Sequence, residues 1–192
     1  MKFTGWFTRK GSMVLLAGAT LATAVGADTA SAMILVNVPG VKGDSMVAGF
    51  LDQIACTSYS VAASVGVKGG GGVAPLFGAP TFNEIVVNKA LDSASPLLFQ
   101  NMCAKKVYAT LTLSLLAPGG ASPTPKDSVY MTITLQNAVV TSIRQVGTED
   151  ERPSEQVTFY ADAIHFAYKP FNGTTYGTAI EGGFNQVTGK AY

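Results

Sequence analysis

Val107-Tyr-Ala-Thr-Leu-Thr-Leu-Ser-Leu-Leu116 and Val129-Tyr-Met-Thr-Ile-Thr-Leu-Gln136 carry the reading of this fold. In the first, Val107, Ala109, Leu111, Leu113 and Leu115 alternate with Tyr108, Thr110, Thr112 and Ser114; in the second, Val129, Met131, Ile133 and Leu135 alternate with Tyr130, Thr132, Thr134 and Gln136. A period of two puts one set on a core and the other toward solvent, the mark of a half-buried strand. Between them runs Pro118-Gly-Gly-Ala-Ser-Pro-Thr-Pro125, whose prolines and glycines suit a turn, so the two segments read as antiparallel neighbours.

Working outward, Ile34, Val36 and Val38 form a short strand ending at Pro39-Gly40, and Gln53 to Gly66 is a second extended stretch. Lys68-Gly-Gly-Gly-Gly-Val-Ala-Pro-Leu-Phe-Gly-Ala-Pro80 reads as a long exposed loop, because glycine adds backbone entropy and proline removes a donor. Ser95 to Lys106 is the one clear helix: Ser95 can cap it, Pro96 suits its first turn, and Lys105 and Lys106 complement its carbonyl end. Leu98 with Met102, and Phe99 with Cys103, lie four apart and read as core-packing pairs. Further strands are expected over Ala138 to Gln145 and, after the charged loop Gly147 to Pro153, over Glu155 to Lys169; Gly173 to Tyr192 could add a final hairpin. Roughly eight strands and one helix in a 192-residue chain predict a single, mostly β domain, a closed or nearly closed barrel or sandwich.

The first 32 residues have their own pattern. Lys2, Arg9 and Lys10 precede the apolar run Ser12 to Gly26, and Ala30-Ser-Ala32 follows, the order of a secretory signal cleaved after Ala32. Residues 1–32 are therefore expected to be a signal and 33–192 the folded domain, secreted or periplasmic, with no stable membrane insertion once the signal is gone; the rival is translation starting at Met33. Setting Lys2, Arg9, Lys10 and Asp28 aside leaves ten basic residues against eleven acidic. Such a near-neutral body has no basic stripe, which argues against nucleic acid as a partner. In an oxidising compartment Cys56 and Cys103 could form a disulfide; the alternative is two small buried hydrophobes.

One catalytic pattern needs weighing. Gly43-Asp44-Ser45 with Asp162-Ala-Ile-His165 resembles the outer signatures of GDS-type serine hydrolases. Asp162 and His165, three apart within one predicted strand, would point to opposite faces, and blocks for an oxyanion hole are missing. His165 is the sole histidine, so no histidine-based metal cluster is possible, and it reads as a core or interfacial residue; no cofactor is expected. Gly69 to Gly72 lack a following Lys-Ser/Thr, so they are not a phosphate-binding loop, and Glu149-Asp150-Glu151 reads as a solvated loop.

The order of segments resembles the haemolysin-coregulated (Hcp) family, the tube subunits of type VI secretion systems. Val38-Pro-Gly-Val-Lys-Gly-Asp-Ser45 is similar to the family's opening turn, and Phe82-Asn-Glu-Ile-Val-Val-Asn-Lys-Ala-Leu-Asp-Ser-Ala-Ser-Pro96 to its Lys-x-x-Asp-x-Ala-Ser-Pro strand-to-helix signature. Leu135 to Ile143, Glu151-Arg-Pro-Ser-Glu155, Ile164-His-Phe-Ala-Tyr168 and Gly182-Gly-Phe184 follow in the family's order, with Phe166-Ala-Tyr168 where the family has Trp-x-Tyr. The resemblance implies a single β-barrel of two antiparallel sheets with one short α-helix. It further implies homo-hexameric rings that stack into a tube, no catalysis, and secretion-apparatus proteins and small effectors as partners. It makes Gly69, Gly70, Gly71, Gly72, Val73, Leu76 and Phe77 candidates for the loop that meets the next ring. The chain departs from the family in its signal-like N-terminal segment. The alternative reading is an exported monomeric β-barrel binding or adhesion module.

Overall fold

The alternation around Leu113 and Ile133 is realised as a ladder. In the computed structural model, which describes residues 32–69, 74–118, 128–149 and 151–192, β1 (Met33–Asn37) and β5 (Val107–Leu116) run antiparallel, with β6 (Val129–Val146) on the far edge of β5. The remaining elements are β2 (Ile54–Cys56), β3 (Ser58–Lys68), β4 (Leu76–Ala90), α1 (Ser95–Cys103), β7 (Ser154–Tyr160), β8 (Ala163–Tyr168), β9 (Ile180–Asn185) and β10 (Lys190–Ala191). Residues 1–31, and with them the expected signal, lie outside the described residues, as do Gly70–Val73, Asp150 and most of the 118–125 turn.

Pairing closes a ring. β1 pairs with β5 and β2, β5 with β6, β6 with β7, β7 with β4, and β4 with β3, which follows β2 after the single residue Thr57. The result is an antiparallel barrel with α1 laid against β6, as the sequence led us to expect. Its interior holds Val36, Ile54, Ile85, Val87, Leu98, Leu111, Leu113, Ile133, Leu135, Val157, Phe159 and Ile164, all buried. Each such side chain gains about 1.5–3 kcal/mol from leaving water. β8, β9 and β10 extend the sheet beyond the barrel along the first half of β6, which bears out the expected C-terminal hairpin.

Several sequence expectations change at one level of the structure. The segments 129–136 and 138–145 are one 18-residue strand, whereas 155–169 is two strands broken at Ala161–Asp162. β6 changes partner from β8 to β7 between Gln136 and Val139, and there Asn137 adopts φ +50°, a left-handed conformation inside the strand. On either side of it the buried positions shift parity, from Ile133 and Leu135 to Ala138 and Val140. The partner strand shifts with it, so Tyr108 is buried while Val107 and Ala109 face solvent, the reverse of the predicted phase. The Asn137 side-chain amide donates to Asp162 Oδ2 at 3.0 Å, and the Asp162 N–H donates to the Gln136 carbonyl at 3.0 Å. β7 and β8 therefore follow β6 around its bend as two straight pieces.

The predicted 68–80 loop is shorter than expected. Leu76–Pro80 belong to β4 and pair with Val65–Lys68 of β3. Pro80 sits opposite Val65 next to an irregularity in the ladder, where a missing donor is tolerated, and the β-branched residues of β3 supply the strand. Gln53–Gly66, in turn, divides at Thr57 because β2 pairs with β1 whereas β3 pairs with β4.

Replacement of Asn137 separates backbone from side chain. Asn137→Gly is expected to lose only the hydrogen bond to Asp162, about 1 kcal/mol, whereas Asn137→Val adds about 1–2 kcal/mol of left-handed strain. Urea-denaturation midpoints of the two variants would decide it, and equal midpoints would contradict this account of the bend.

Candidate functional site

The charged residues of the strand-to-helix signature do not face a cleft. Lys89 ends in the barrel wall with a fully buried side chain, and Glu155 at the start of β7 is equally buried. Lys89 Nζ lies 2.6 Å from Asp92 Oδ1, 2.8 Å from Ser95 Oγ, 2.9 Å from Glu155 Oε2 and 3.1 Å from the Ala90 carbonyl. The Ser95 hydroxyl donates to Glu155 Oε2 at 2.9 Å, and Gln145 Nε2 on β6 donates to Glu155 Oε1 at 2.8 Å. One ammonium thus joins β4, the entry to α1 and β7, and Gln145 ties β6 in through the second oxygen of Glu155, the added hydrogen bonding that a buried ion pair requires.

Ser95 is used differently from the sequence reading. The helix N-cap is Ala94, and Asp92 Oδ1 accepts the Ala94 N–H at 3.0 Å, while Ser95 turns its hydroxyl into the junction. At the other end Lys105 takes φ +54° beyond the last turn; its N–H bonds to Met102 and that of Lys106 to Asn101, closing the helix with a non-glycine residue in the usual glycine position. Leu98 packs in the core with Met102 beside it, but Phe99 and Cys103 are exposed, so only one of the two predicted pairs is internal. The helix packs on β6 along one narrow stripe, and the second pair falls outside it.

Other signature residues converge beside this junction. Arg152 Nη2 donates to the Leu91 carbonyl at 2.6 Å and lies 3.9 Å from Asp44 Oδ2, and the Ser93 N–H reaches Asp44 Oδ1 at 3.4 Å. Hydrogen bonding from Ser93, ahead of the charges of Arg152 and Lys89, holds the Asp44 carboxyl below its ordinary range. Gly43 is required by packing: a Cβ there would stand 2.6 Å from the Gln53 carbonyl oxygen. Three sequence segments that looked like separate motifs are thus one corner of the barrel.

No catalytic triad forms. Ser45 is buried in the 43–53 loop, its N–H bonded to the Gln53 carbonyl, its own carbonyl to the Asp52 N–H and its Oγ to the Val47 N–H. Asp162 holds Asn137, and lies in the bend rather than inside a strand as the sequence suggested. His165, half-buried on β8, stacks on Tyr192 with ring centroids 5.8 Å apart, its Nε2 3.5 Å from Glu181 Oε2. The hydrolase reading fails because each of the three residues is committed elsewhere. Among the described residues no three metal-ligating side chains cluster. Cys56 and Cys103 are both free, in place of the disulfide the sequence allowed; Cys56 sits on β2, while Cys103 ends a helix that packs on β6. Burial pushes the Cys56 thiol up to about 12, against the opposing charge of Lys89, which leaves it unreactive.

The surface feature is the distal half of the β3–β4 hairpin. Val65, Val67, Leu76 and Phe77 are exposed there, Leu76 by 71% and Phe77 by 68%. Of the residues expected to contact a neighbouring ring, Gly69, Leu76 and Phe77 lie on this hairpin, and Gly70, Gly71, Gly72 and Val73 lie outside the described residues. At its root the Phe82 N–H donates to Gln186 Oε1 at 3.0 Å, Gln186 Nε2 donates to the Ala161 carbonyl at 2.7 Å, and the Phe82 and Phe184 rings meet edge-on at 5.9 Å. Gln186, in the turn after β9, and Gln145, on β6, make tertiary hydrogen bonds that sequence reading missed. A lone glutamine carries no spacing signal, since its partner is set by the fold.

The type VI secretion system effector Hcp family model matches residues 35–168, more than half of the chain. No curated protein matches by sequence. A solved structure of a type six secretion system protein superposes with a TM-score of 0.76 at 20% identity, covering 84% of this chain and 100% of that one. Hcp1 from Salmonella typhimurium gives 0.69 at 17%, over 84% of this chain and 99% of its own. Secreted protein Hcp3 from Pseudomonas aeruginosa gives 0.56 at 16%, over 81% and 99%. At such identities the superpositions speak for the fold, and the family model for the family.

The polar junction has a defined acid response. Burial, the largest single influence, pushes the Glu155 carboxyl up, but hydrogen bonds from Gln145, Lys89 and Ser95 with the Lys89 charge outweigh it and hold it below its ordinary value. A depressed carboxylate stabilises the fold at pH above its unfolded value and loses that contribution as pH falls through the folded one. Acid titration of stability is expected to show this loss in the native protein and not in Glu155→Gln. Lys89→Met, which strands two carboxylates, should cost about 3–5 kcal/mol at neutral pH. A Lys89→Met variant as stable as the native protein would show the junction to be dispensable.

Proposed function

The chain belongs to the Hcp family of type VI secretion system effectors, and from that membership we propose that it is a non-enzymatic tube subunit whose copies close into hexameric rings and stack through the β3–β4 hairpin. The observation that carries this reading is the hairpin itself. The barrel core is closed by its own strands, yet Val65, Val67, Leu76 and Phe77 stand exposed on a projecting pair of strands. Exposed apolar side chains on a two-stranded projection are suited to burial against another surface. A hairpin that enters a different patch on the next copy makes a head-to-tail contact, and such contacts propagate as an open stack.

Membership places the protein among those secreted by the type VI apparatus, and no bound cofactor enters this role. Small effectors sheltered in the ring lumen and proteins of the apparatus would be its further partners. Residues 1–32 act in this proposal as an export signal removed after Ala32, which sets this subunit apart from the usual family pattern; a start at Met33 would give the same folded body without that route.

Light scattering on residues 33–192 tests the assembly. A species about six times the monomer mass, with larger stacks at higher concentration, is expected. Leu76→Ser with Phe77→Ser should abolish the stacks and leave the rings, shifting monomer stability by no more than about 0.5 kcal/mol because both side chains are exposed. A monomer at every concentration would instead favour the single-barrel binding module.

A further inference from the structure

The apolar hairpin tip and an apolar depression stand at opposite ends of one strand. β4 runs for 15 residues, beginning with Leu76 and Phe77 at the tip and ending with Ala90 against Ser154 of β7. At about 3.3 Å per residue those ends lie up to about 45 Å apart. Just past Ala90, between the start of α1 and the end of β6, is an open depression of about 440 Å³ lined by Leu91, Asp92, Ser95, Pro96, Phe99 and Gln145. Asp92, Ser95 and Gln145 are already hydrogen-bonded within the Lys89 and Glu155 junction. What the depression offers a visitor is therefore the apolar surface of Leu91, Pro96 and Phe99, and Phe99 stands 54% exposed there.

Size, chemistry and charge identify the occupant as the hairpin of a second copy. A cavity of about 150 Å³ accepts a benzene ring, so the depression has room for the Phe77 ring and a branched aliphatic neighbour. The tip supplies that pair: Val67 lies directly across from Phe77 in the β3–β4 ladder, directly opposed residues share one face, and both side chains are exposed. Lys68, across from Leu76, gives the tip a positive charge. The loop beside the depression carries Glu149, Asp150 and Glu151 against Arg152. Its end is tied to the depression by the Leu91 N–H, which donates to the Pro153 carbonyl at 3.0 Å, and by Arg152, which donates to the Leu91 carbonyl. We propose that the depression between α1 and β6 is the socket for the β3–β4 tip of the next copy, Phe77 and Val67 entering against Leu91, Pro96 and Phe99 while Lys68 meets the acidic loop.

The socket rests on the stacking reading and names the surface that the hairpin enters. A chain cannot seat its own tip, because the length of β4 separates the two. Tip and socket are different patches, so the contact is head-to-tail and repeats from copy to copy as an open stack. It also accounts for the outward position of Phe99, an aromatic ring on α1 that the barrel core does not use.

Two measurements test the socket, on the full chain and on residues 33–192 alike. In light scattering, Phe99→Ser is expected to keep the rings and the native melting temperature, since the ring is exposed, and to raise the concentration at which stacks form by about tenfold or more. Cross-linking locates the contact. The native Cys103 is exposed one helical turn from Phe99, and a Cβ at Gly69, near the tip, meets nothing closer than Pro75 at 3.5 Å. Gly69→Cys treated with a short bis-maleimide should give chains joined end to end, and Gly69→Cys with Cys103→Ser should give none. Stacks formed equally well by Phe99→Ser overturn the socket and leave the stacking reading standing. Cross-linked dimers that persist without Cys103 set tip against tip and overturn it too. A native chain that forms no stacks at any concentration removes both readings.

Discussion

One buried ammonium organises this barrel. Lys89 on β4 meets Asp92 and Ser95 at the mouth of α1 and Glu155 on β7, with Gln145 on β6 satisfying the far side of the glutamate. Bringing these charges out of water costs several kcal/mol per ion before their attraction is counted. The net energy is therefore a poor measure of what the network does. Its geometry admits one arrangement: shifting β4 against β7 by one residue would leave the ammonium and two carboxylates unpaired in the wall of the barrel. Register across β4, α1, β6 and β7 is the property that depends on it.

A second constraint acts where β6 bends. Asn137 supplies the left-handed residue, Asp162 accepts its amide, and Gln186 fills the gap that opens as β4 leaves β7 and β9 takes over alongside β8. The bend divides a continuous strand into one half that closes the barrel and another that carries the outer sheet β8–β9–β10. It also fixes the direction in which the β3–β4 hairpin departs, because Phe82 at the hairpin root is tied to Gln186 and packed on Phe184. The exposed apolar tip and the interior polar junction are thus linked through the path of β4, which contains Leu76, Phe77, Phe82 and Lys89 alike.

Residues of catalytic type are spent on architecture throughout. Ser45 ties a loop, Asp162 steadies a bend, and Lys89, Asp92, Ser95 and Glu155 hold a corner. What remains outward among the described residues is an apolar hairpin bearing Val65, Val67, Leu76 and Phe77. This is a feature for joining chains rather than for transforming a small molecule, and membership in a secretion-tube family accords with it.

Local pattern settled much: Leu111, Leu113, Ile133 and Leu135 marked the core strands, Ser95-Pro96 marked the helix start within a residue, and the ordered set of segments carried the resemblance to the family. Those signals are local, because a strand or helix writes its burial into residues two or four apart. The tertiary structure decided the rest. That Val129 to Val146 is one strand with a change of face, that Glu155 to Lys169 is two, and that the Leu76–Pro80 end of a glycine-rich loop is strand all depend on partners far off in sequence. The same holds for the meeting of Lys89 with Glu155. A hydrogen-bond ladder or a buried charge pair forms between residues whose separation along the chain carries no period, so only the closed barrel, by bringing β4, β6 and β7 to one place, determines which residues meet.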